Sequence, residues 1–379
     1  MDFAQVWLVV GTRPEAIKLS PVVRALRARG LQPLLVLTGQ QMLDPGAFGL
    51  EAYPQLRLGC SGEPDPHAHV RKVTAALLPF LGDPPELLVV QGDTSSALGG
   101  ALAGFTAGVP VAHVEAGLRT HDPSLPWPEE EYRTAIDAHA ELLFAPTDLA
   151  AANLRAEGVR GQVHVTGNSG IDALLAIQAK LPPPTLHDGG LPRLLVTCHR
   201  RESWGAGLQS IAAALAEIAE RGSARVDVIL PPNAHVASGM RELLSGRLNV
   251  TLLGPCGYDE LVRRMRDCDL VLSDSGGIQE EAPALGTPLL VLRDKTERPE
   301  GVASGNALLV GTGTARIVAE VTRLLADPVA LAAMARRSLP YGDGRAAPRI
   351  AAIIAEWLER KAGLSRPSSA IVGELRHRQ

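Results

Sequence analysis

Short runs rich in Val and Leu alternate with longer amphipathic stretches along most of the chain, and this alternation limits the fold more than any other feature. The runs Val6 to Val10, Leu34 to Leu37, Leu87 to Val90, Val111 to Val114, Leu142 to Ala145 and Val163 to Thr166 are nearly continuous apolar segments, as strands are when helices cover both faces of a parallel sheet. A Pro/Gly-rich segment from Leu181 to Pro192 breaks the pattern. A second series follows at Leu194 to Thr197, Val226 to Leu230, Val250 to Leu253, Leu270 to Leu272 and Leu289 to Val291. The two series predict an α/β protein of two doubly wound, Rossmann-like domains facing a cleft. Residues 1–180 form the first domain, 181–192 a hinge, 193–344 the second domain, 345–362 a closing helix and 363–379 a mobile tail. A chain of 379 residues suits two such units, since compact domains cluster near roughly 100–200 residues. The carboxyl ends of both strand sets then meet at the cleft, where open α/β sheets take ligands, so residues just after strands carry the functional information.

Composition removes several classes of function. A net charge of -4 with no long Lys/Arg block argues against a general nucleic-acid or membrane-surface binder. Cys60, Cys198, Cys256 and Cys268 fall into no CxxC pair and no metal-ligand spacing, which suggests neither zinc nor a disulfide framework. No basic leader precedes the first apolar run, and no run reaches the roughly 18 residues that span a bilayer. A cytoplasmic location is therefore expected.

Five strand ends carry candidate chemistry. The first is followed by Gly11-Thr12-Arg13-Pro14-Glu15, with Pro14 and Glu15 suited to a first helical turn and Arg13 and Lys18 where an anion would dock; a tight turn with an exposed Arg explains the segment equally well. The third ends in Gln91-Gly92-Asp93-Thr94, where Asp93 is either a functional carboxylate or a helix cap. The next contains His113 and Glu115, placed on one face by strand alternation, and capping does not account for Glu115. Downstream, Glu129-Glu130-Glu131 suits a helix N-terminus and reads by itself as a solvated face. In the second series, Thr197-Cys198-His199-Arg200-Arg201 makes a cationic cluster. Ser273-Asp274-Ser275-Gly276-Gly277 precedes a helix, and its small residues would let phosphate approach backbone N–H groups at the positive end of the helix dipole. Arg298, in a later turn, adds a cation. No GxGxxG follows a strand and no GxxxxGK[ST] occurs, which disfavours a nicotinamide-dependent sugar epimerase and a standard nucleotide triphosphatase.

Taken in order, GTRPEAIK, QGDT, HVEAGLRT, WPEE, TGN, HRRES, SDSGGIQEE, TERPE and PYGDG closely resemble the non-hydrolysing bacterial UDP-N-acetylglucosamine 2-epimerases over roughly Val9 to Gly344. The resemblance implies a glycosyltransferase-B type fold, interconversion of UDP-N-acetylglucosamine and UDP-N-acetylmannosamine, no metal or nicotinamide cofactor, and a homodimer. Through matching motifs it implies catalytic positions at Arg13, Asp93, Glu115, Glu129 and His199. It also implies a UDP site at Ser275, Gly276, Gly277, Glu281 and Arg298, with Glu281 on the ribose, the backbone around Ser275 on the diphosphate and Tyr258 beside the uracil.

The chemistry of the implied reaction calls for this inventory. No carbonyl is attached directly to C2, so its proton is not acidic; loss of UDP from C1 together with the C2 proton gives a 2-acetamidoglucal, and re-addition with a proton on the other face inverts C2. Carboxylates must move the proton, and positive charge must meet the departing diphosphate. A transferase, a hydrolysing epimerase and a non-catalytic sugar-nucleotide sensor remain compatible with the same nucleotide site. The chain also departs from the family's pattern at Gln40-Gln41-Met42, at Pro231-Pro232-Asn233-Ala234-His235 and at Tyr132. The first two regions contribute in relatives to a second, activating UDP-N-acetylglucosamine site, so weak or absent activation is expected here.

Overall fold

The computed structural model describes residues 5–184, 189–199, 204–231 and 233–365. The hinge residues 185–188, Arg200, Arg201, Glu202, Ser203, Pro232 and the tail beyond 365 lie outside them.

Two all-parallel sheets carry the molecule. The first has strand order β3-β2-β1-β4-β5-β6-β7, built from β1 (Val6–Val10), β2 (Pro33–Leu37), β3 (Gln55–Arg57), β4 (Leu87–Gln91), β5 (Val111–Val114), β6 (Leu142–Ala145) and β7 (Gln162–Val165). The second runs β10-β9-β8-β11-β12-β13, from β8 (Arg193–Thr197), β9 (Arg225–Ile229), β10 (Val250–Leu253), β11 (Leu270–Ser273), β12 (Leu289–Val291) and β13 (Ala307–Leu309). The predicted runs all become strands, with ends shifted by at most one residue. The two strands not anticipated, β3 and β13, are short edge strands. β3 reads Gln-Leu-Arg and is half-exposed, so it offers none of the apolar continuity that marks a central strand.

Helices connect the strands: α1 (Arg13–Ala28), α2 (Pro66–Leu77), α3 (Ser95–Ala107), α4 (Glu129–Asp137), α5 (Asp148–Ala156) and α6 (Ser169–Gln178) in the first half. The second half has α7 (Ala206–Glu220), α8 (Ala234–Leu244), α9 (Tyr258–Asp267), α10 (Gly276–Leu285), α11 (Glu300–Ala303), α12 (Thr314–Ala326), α13 (Pro328–Met334) and α14 (Ala346–Ser365). They bury both faces of each sheet, as the apolar strands require. Leu8, Leu35 and Leu87 pack with Leu19 and Val23 of α1, while Val9, Leu88 and Val90 pack with Ala97 and Ala101 of α3. Two helices cross between the halves. Ile171 and Leu174 of α6 join the second sheet's core around Val271 and Leu289. In exchange, Ile350, Ile354 and Trp357 of α14 return to the first sheet's core. Asp172 of α6 ties the two together by accepting the backbone N–H groups of Ala346 and Ala347 at the start of α14.

Strand order reverses between β1 and β4 in one sheet and between β8 and β11 in the other. These are the points where a doubly wound sheet opens a crevice, and the motifs singled out above follow these four strands or their neighbours.

Candidate active site

A cavity of ≈ 630 Å³ lies between the two switch points, and all the site residues proposed from the sequence line it: Arg13, Lys18, Asp93, Glu115, Glu129 and His199 with Tyr258, Ser275, Gly276, Gly277, Glu281 and Arg298.

On the first sheet's wall the N-termini of α1 and α3 are closed by side chains. Glu15, three residues after the N-cap Thr12, accepts the N–H groups of Gly11 at 3.1 Å and Thr12 at 2.6 Å and the hydroxyls of Thr12 and Thr94, a capping box that occupies the α1 N-terminus. Burial lifts its carboxyl to about 7 against these donors. Gln41 takes the next N–H, from Arg13, at 3.0 Å. At α3, Thr94 is the N-cap, accepting the Ala97 N–H, and Gln40 accepts the Ser96 hydroxyl at 2.7 Å. The anion-docking reading of Arg13 and Lys18 therefore has no open helix end at α1 to support it.

Because Thr94 caps α3, Asp93 is left to a different partner, the fully buried guanidinium of Arg133 on α4, whose Nε lies 2.9 Å from Oδ2 and whose Nη2 also donates to it. Arg133 also binds Glu130 at 2.6 Å, and Glu130 accepts the backbone N–H groups of Thr120 and His121. Within the acidic run, then, the solvated-face expectation holds for Glu131 and fails for Glu130, which is buried. His113 does not enter the cavity: its ring bridges Asp137 at 2.6 Å and the carbonyl of Gly92 at 2.8 Å, bracing the turn that carries Asp93. Strand alternation does not extend to Glu115, which has φ 72 and turns toward α1. A non-glycine residue held in this region costs energy and persists where its surroundings fix it, and here three side chains do so.

Those contacts form a closed ring of buried charges at the floor of the cleft. Lys18 Nζ lies 2.5 Å from Glu115 and 2.9 Å from Glu280; Arg298 lies 2.7 Å from Glu115 and 2.6 Å from Glu280. Gln91 donates to Glu115 at 2.5 Å. Lys18 and Glu115 come from the first half, Glu280 and Arg298 from the second, so the ring joins them. Burial and the charge of Glu280 raise the Glu115 carboxyl. At Glu280 burial also pushes upward, but Lys18 and Arg298 outweigh it and the net direction is down.

The second sheet's wall is different. At the N-terminus of α10 the cap residue Ser275 makes no side-chain cap hydrogen bond, and a Cβ built on Gly277 would meet nothing nearer than the Ser275 hydroxyl at 4.0 Å. At Gly276 a Cβ would lie 2.8 Å from the Arg298 guanidinium, so glycine is what lets that cation sit against the helix end. Arg298 is placed from behind by Tyr341, whose hydroxyl donates to the Arg298 carbonyl and accepts the Gly301 N–H, each at 2.8 Å. His199, half-exposed at the cleft edge, is held by its backbone N–H, which donates to the buried carboxylate of Asp274 at 3.0 Å. Tyr258 donates to Glu281 at 2.6 Å.

The family model described as UDP-N-acetylglucosamine 2-epimerase matches residues 24–355. A UDP-N-acetylglucosamine 2-epimerase of Yersinia pestis is 42% identical over 368 residues, covering 91% of this chain and 97% of that protein. The chain belongs to the UDP-N-acetylglucosamine 2-epimerase family. Among solved structures, the UDP-GlcNAc 2-epimerase of Neisseria meningitidis bound to UDP-GlcNAc superposes with a TM-score of 0.86 at 37% identity, covering 94% of this chain and 99% of that one. The Methanocaldococcus jannaschii UDP-GlcNAc 2-epimerase in complex with UDP-GlcNAc and UDP gives 0.80 at 30% identity, with 93% and 99% covered. The two facing sheets are thus the glycosyltransferase-B type architecture that the motifs implied.

In this epimerase-family chain, four residues that line up behind the cavity are not evident from the sequence as site residues: Glu280, Arg133, Asp274 and Tyr341. Each belongs to a motif quoted above or lies within three residues of one, but its role depends on a partner distant in sequence. Arg133 meets Asp93 across 40 positions, and Tyr341 meets Arg298 across 43.

Proposed function

We infer that the protein interconverts UDP-N-acetylglucosamine and UDP-N-acetylmannosamine by inverting C2. The observation that carries this reading is the convergence of Asp93, Glu115 and Glu129 on the cavity that also receives the uncapped N-terminus of α10. UDP is held on the second wall: the diphosphate by the amides of Gly276 and Gly277 with Arg298 beside them, the ribose by Glu281 and the uracil by Tyr258. Such a helix end offers aligned N–H donors and positive potential to an anion. The C1–O bond to UDP breaks as a carboxylate removes the C2 proton, leaving a C1=C2 double bond. UDP then adds back to C1 while a proton is delivered to the opposite face of C2. His199 supplies positive charge or a proton and Arg13 positive charge to the departing diphosphate, where it counts most, and Asp93, Glu115 and Glu129 are the proton-transfer groups. The sugar is neither oxidised nor reduced across the two steps, so the route needs no redox cofactor, and each carbon's electrons balance without a metal. The same reading carries a homodimer working in the cytoplasm, with the two halves hinged near residues 181–192. None of the helices in the described residues is long and apolar enough to cross a membrane.

Proton NMR of UDP-N-acetylglucosamine mixed with the protein in heavy water tests the reading in one sample. The expected outcome is both UDP-linked epimers with deuterium at C2 and no added cofactor. Free N-acetylmannosamine with UDP would identify a hydrolase, and an unchanged spectrum would identify a binding protein.

A further inference from the structure

Tyr258 enters the reading above as an aromatic ring beside the base, yet its hydroxyl has a separate, defined contact. Tyr258 opens α9 and donates to one oxygen of Glu281 on α10 at 2.6 Å. The other Glu281 oxygen has no hydrogen-bond partner among the described residues, and the side chain lines the cavity. Glu281 itself is only 8% exposed. We propose that Tyr258 is a positioning residue for ribose recognition: its hydroxyl fixes the Glu281 carboxylate as a hydrogen-bond acceptor, with the second oxygen presented to the ribose hydroxyls of a bound uridine nucleotide. The proposal rests on the reading that the second wall holds UDP.

The electrostatic setting gives this contact its weight. Ionised, the carboxyl offers acceptors on both oxygens, one for the Tyr258 hydroxyl and one for the ribose; protonated, one of the two oxygens carries an O–H donor instead. Burial lifts the Glu281 carboxyl to about 7, with the negative Glu280 on the same helix pushing in the same direction, while the Tyr258 hydroxyl and the Lys18 ammonium of α1 act to lower it. The Tyr258 hydroxyl thus favours the ionised form of a group that burial pushes toward neutrality. On the other side of the contact, Tyr258 is itself pushed up by burial and by Glu281 and Glu280, with Arg13 opposing, so it remains a neutral donor across the working range. A phenylalanine would keep the ring for the base and remove only the donor.

The test compares UDP with 2′,3′-dideoxyuridine diphosphate, which lacks both ribose hydroxyls and carries the same diphosphate, so the ionisation of the phosphates cancels in the ratio of affinities. In the parent protein this ratio should be high at pH 9 and fall as pH drops through about 7, when Glu281 takes up its proton. In Tyr258→Phe the folded carboxyl loses a contact that favours its ionised form, so the fall should begin at higher pH. At pH 7 the ratio should be up to about fivefold lower than in the parent, as for a shift approaching one unit, while at pH 9 the two proteins should nearly agree. Coincident profiles, or a loss equal at every pH, would overturn the proposal. A parent ratio near one throughout would overturn it together with the ribose contact of Glu281, and heavy-water NMR would still report separately whether the protein epimerises its substrate.

Discussion

The helix ends on the two walls of the cleft follow strands at equivalent switch points and are finished in opposite ways. At α1 the sequence after β1 is Thr12-Arg13-Pro14-Glu15, and the carboxylate at the third helical position takes the N–H groups of Gly11 and Thr12. At α10 the sequence after β11 is Ser275-Gly276-Gly277-Ile278, and the same third position is an isoleucine that can take nothing. The space differs as well: a Cβ on Gly11 would lie 1.9 Å from the Ser96 hydroxyl, whereas Gly277 has open room. An N-terminus of a helix attracts anions only where its own chain has not already supplied one. One wall has committed the ends of α1 and α3 to self-capping and offers carboxylates; the other has left the end of α10 uncapped and offers it to phosphate. The division of labour between chemistry and nucleotide binding therefore follows from what stands three residues into each helix.

The ring of Lys18, Glu115, Glu280 and Arg298 is where this division is weakest, because Arg298 serves both walls. Its guanidinium touches Glu115, Glu280 and Glu297, so Arg298→Ala would strand buried carboxylates as well as remove a cation from the helix end. Breaking a buried pair from one side costs about 3–5 kcal/mol, more than the roughly 1.5–3 kcal/mol of a single charged hydrogen bond to UDP. Chemical denaturation should show that loss of stability, and adding Glu115→Gln should recover part of it. A variant as stable as the parent would mean that Arg298 belongs to the nucleotide wall alone.

The next effect should separate the walls cleanly. Asp93→Asn keeps the shape and removes the charge paired with Arg133, so turnover should fall by at least about a hundredfold, or about 2.7 kcal/mol of barrier. UDP affinity by calorimetry should stay within about threefold of the parent, roughly 0.7 kcal/mol. A matching loss of UDP binding would tie the two walls together. Gly277→Ala should do the reverse at smaller scale: nothing crowds the new methyl, and alanine favours a helix by up to about 1 kcal/mol over glycine, so stability should hold or rise. The methyl would nonetheless sit where the diphosphate meets the amides, and UDP should bind roughly tenfold more weakly, about 1.4 kcal/mol. Unchanged UDP affinity would move the diphosphate off this helix end.

The sheets and their switch points were legible because central parallel strands announce themselves as continuous apolar runs and because the residues that follow them carry the motifs. The candidate site residues were legible for the same reason. What stayed hidden were the contacts that decide what each one can do. Asp93 stands where a cap could stand, and only the fold shows that Thr94 takes the cap and Arg133 takes Asp93. Glu115 continues a strand in the sequence, but its positive φ sends it to the other face, a turn that alternation cannot anticipate. Glu15 is the instructive exception. Thr12 followed three residues later by Glu15 is a capping box readable from residue spacing alone, and at full weight that spacing already closes the α1 end to anions.

The smallest expected effect is an absence, and it extends the comparison from α1 to α3. With both of these helix ends plugged from within, neither should hold a second anion of the kind that relatives use for activation. Of the three departures from the family's pattern, the one at Gln40-Gln41 falls where the plugs are. Gln41 accepts the Arg13 N–H at 3.0 Å, and Gln40 accepts the Ser96 hydroxyl at 2.7 Å and its N–H at 3.3 Å, so the acceptor oxygens of both glutamines are committed to the ends of α1 and α3. What these side chains could still offer an anion is their neutral amide N–H groups, and hydrogen bonds to charged groups from neutral donors are weaker than those from cations. Tyr132, the third departure, is fully buried, with its ring 5.6 Å from that of His67, so it too is committed to packing. Supplied with pure UDP-N-acetylmannosamine, the protein should therefore start at its full rate, and a trace of UDP-N-acetylglucosamine should change the initial velocity by less than about twofold, under 0.5 kcal/mol. A lag that the trace abolishes would show that an activating anion still finds donors on the first wall, and that capping from within does not close it.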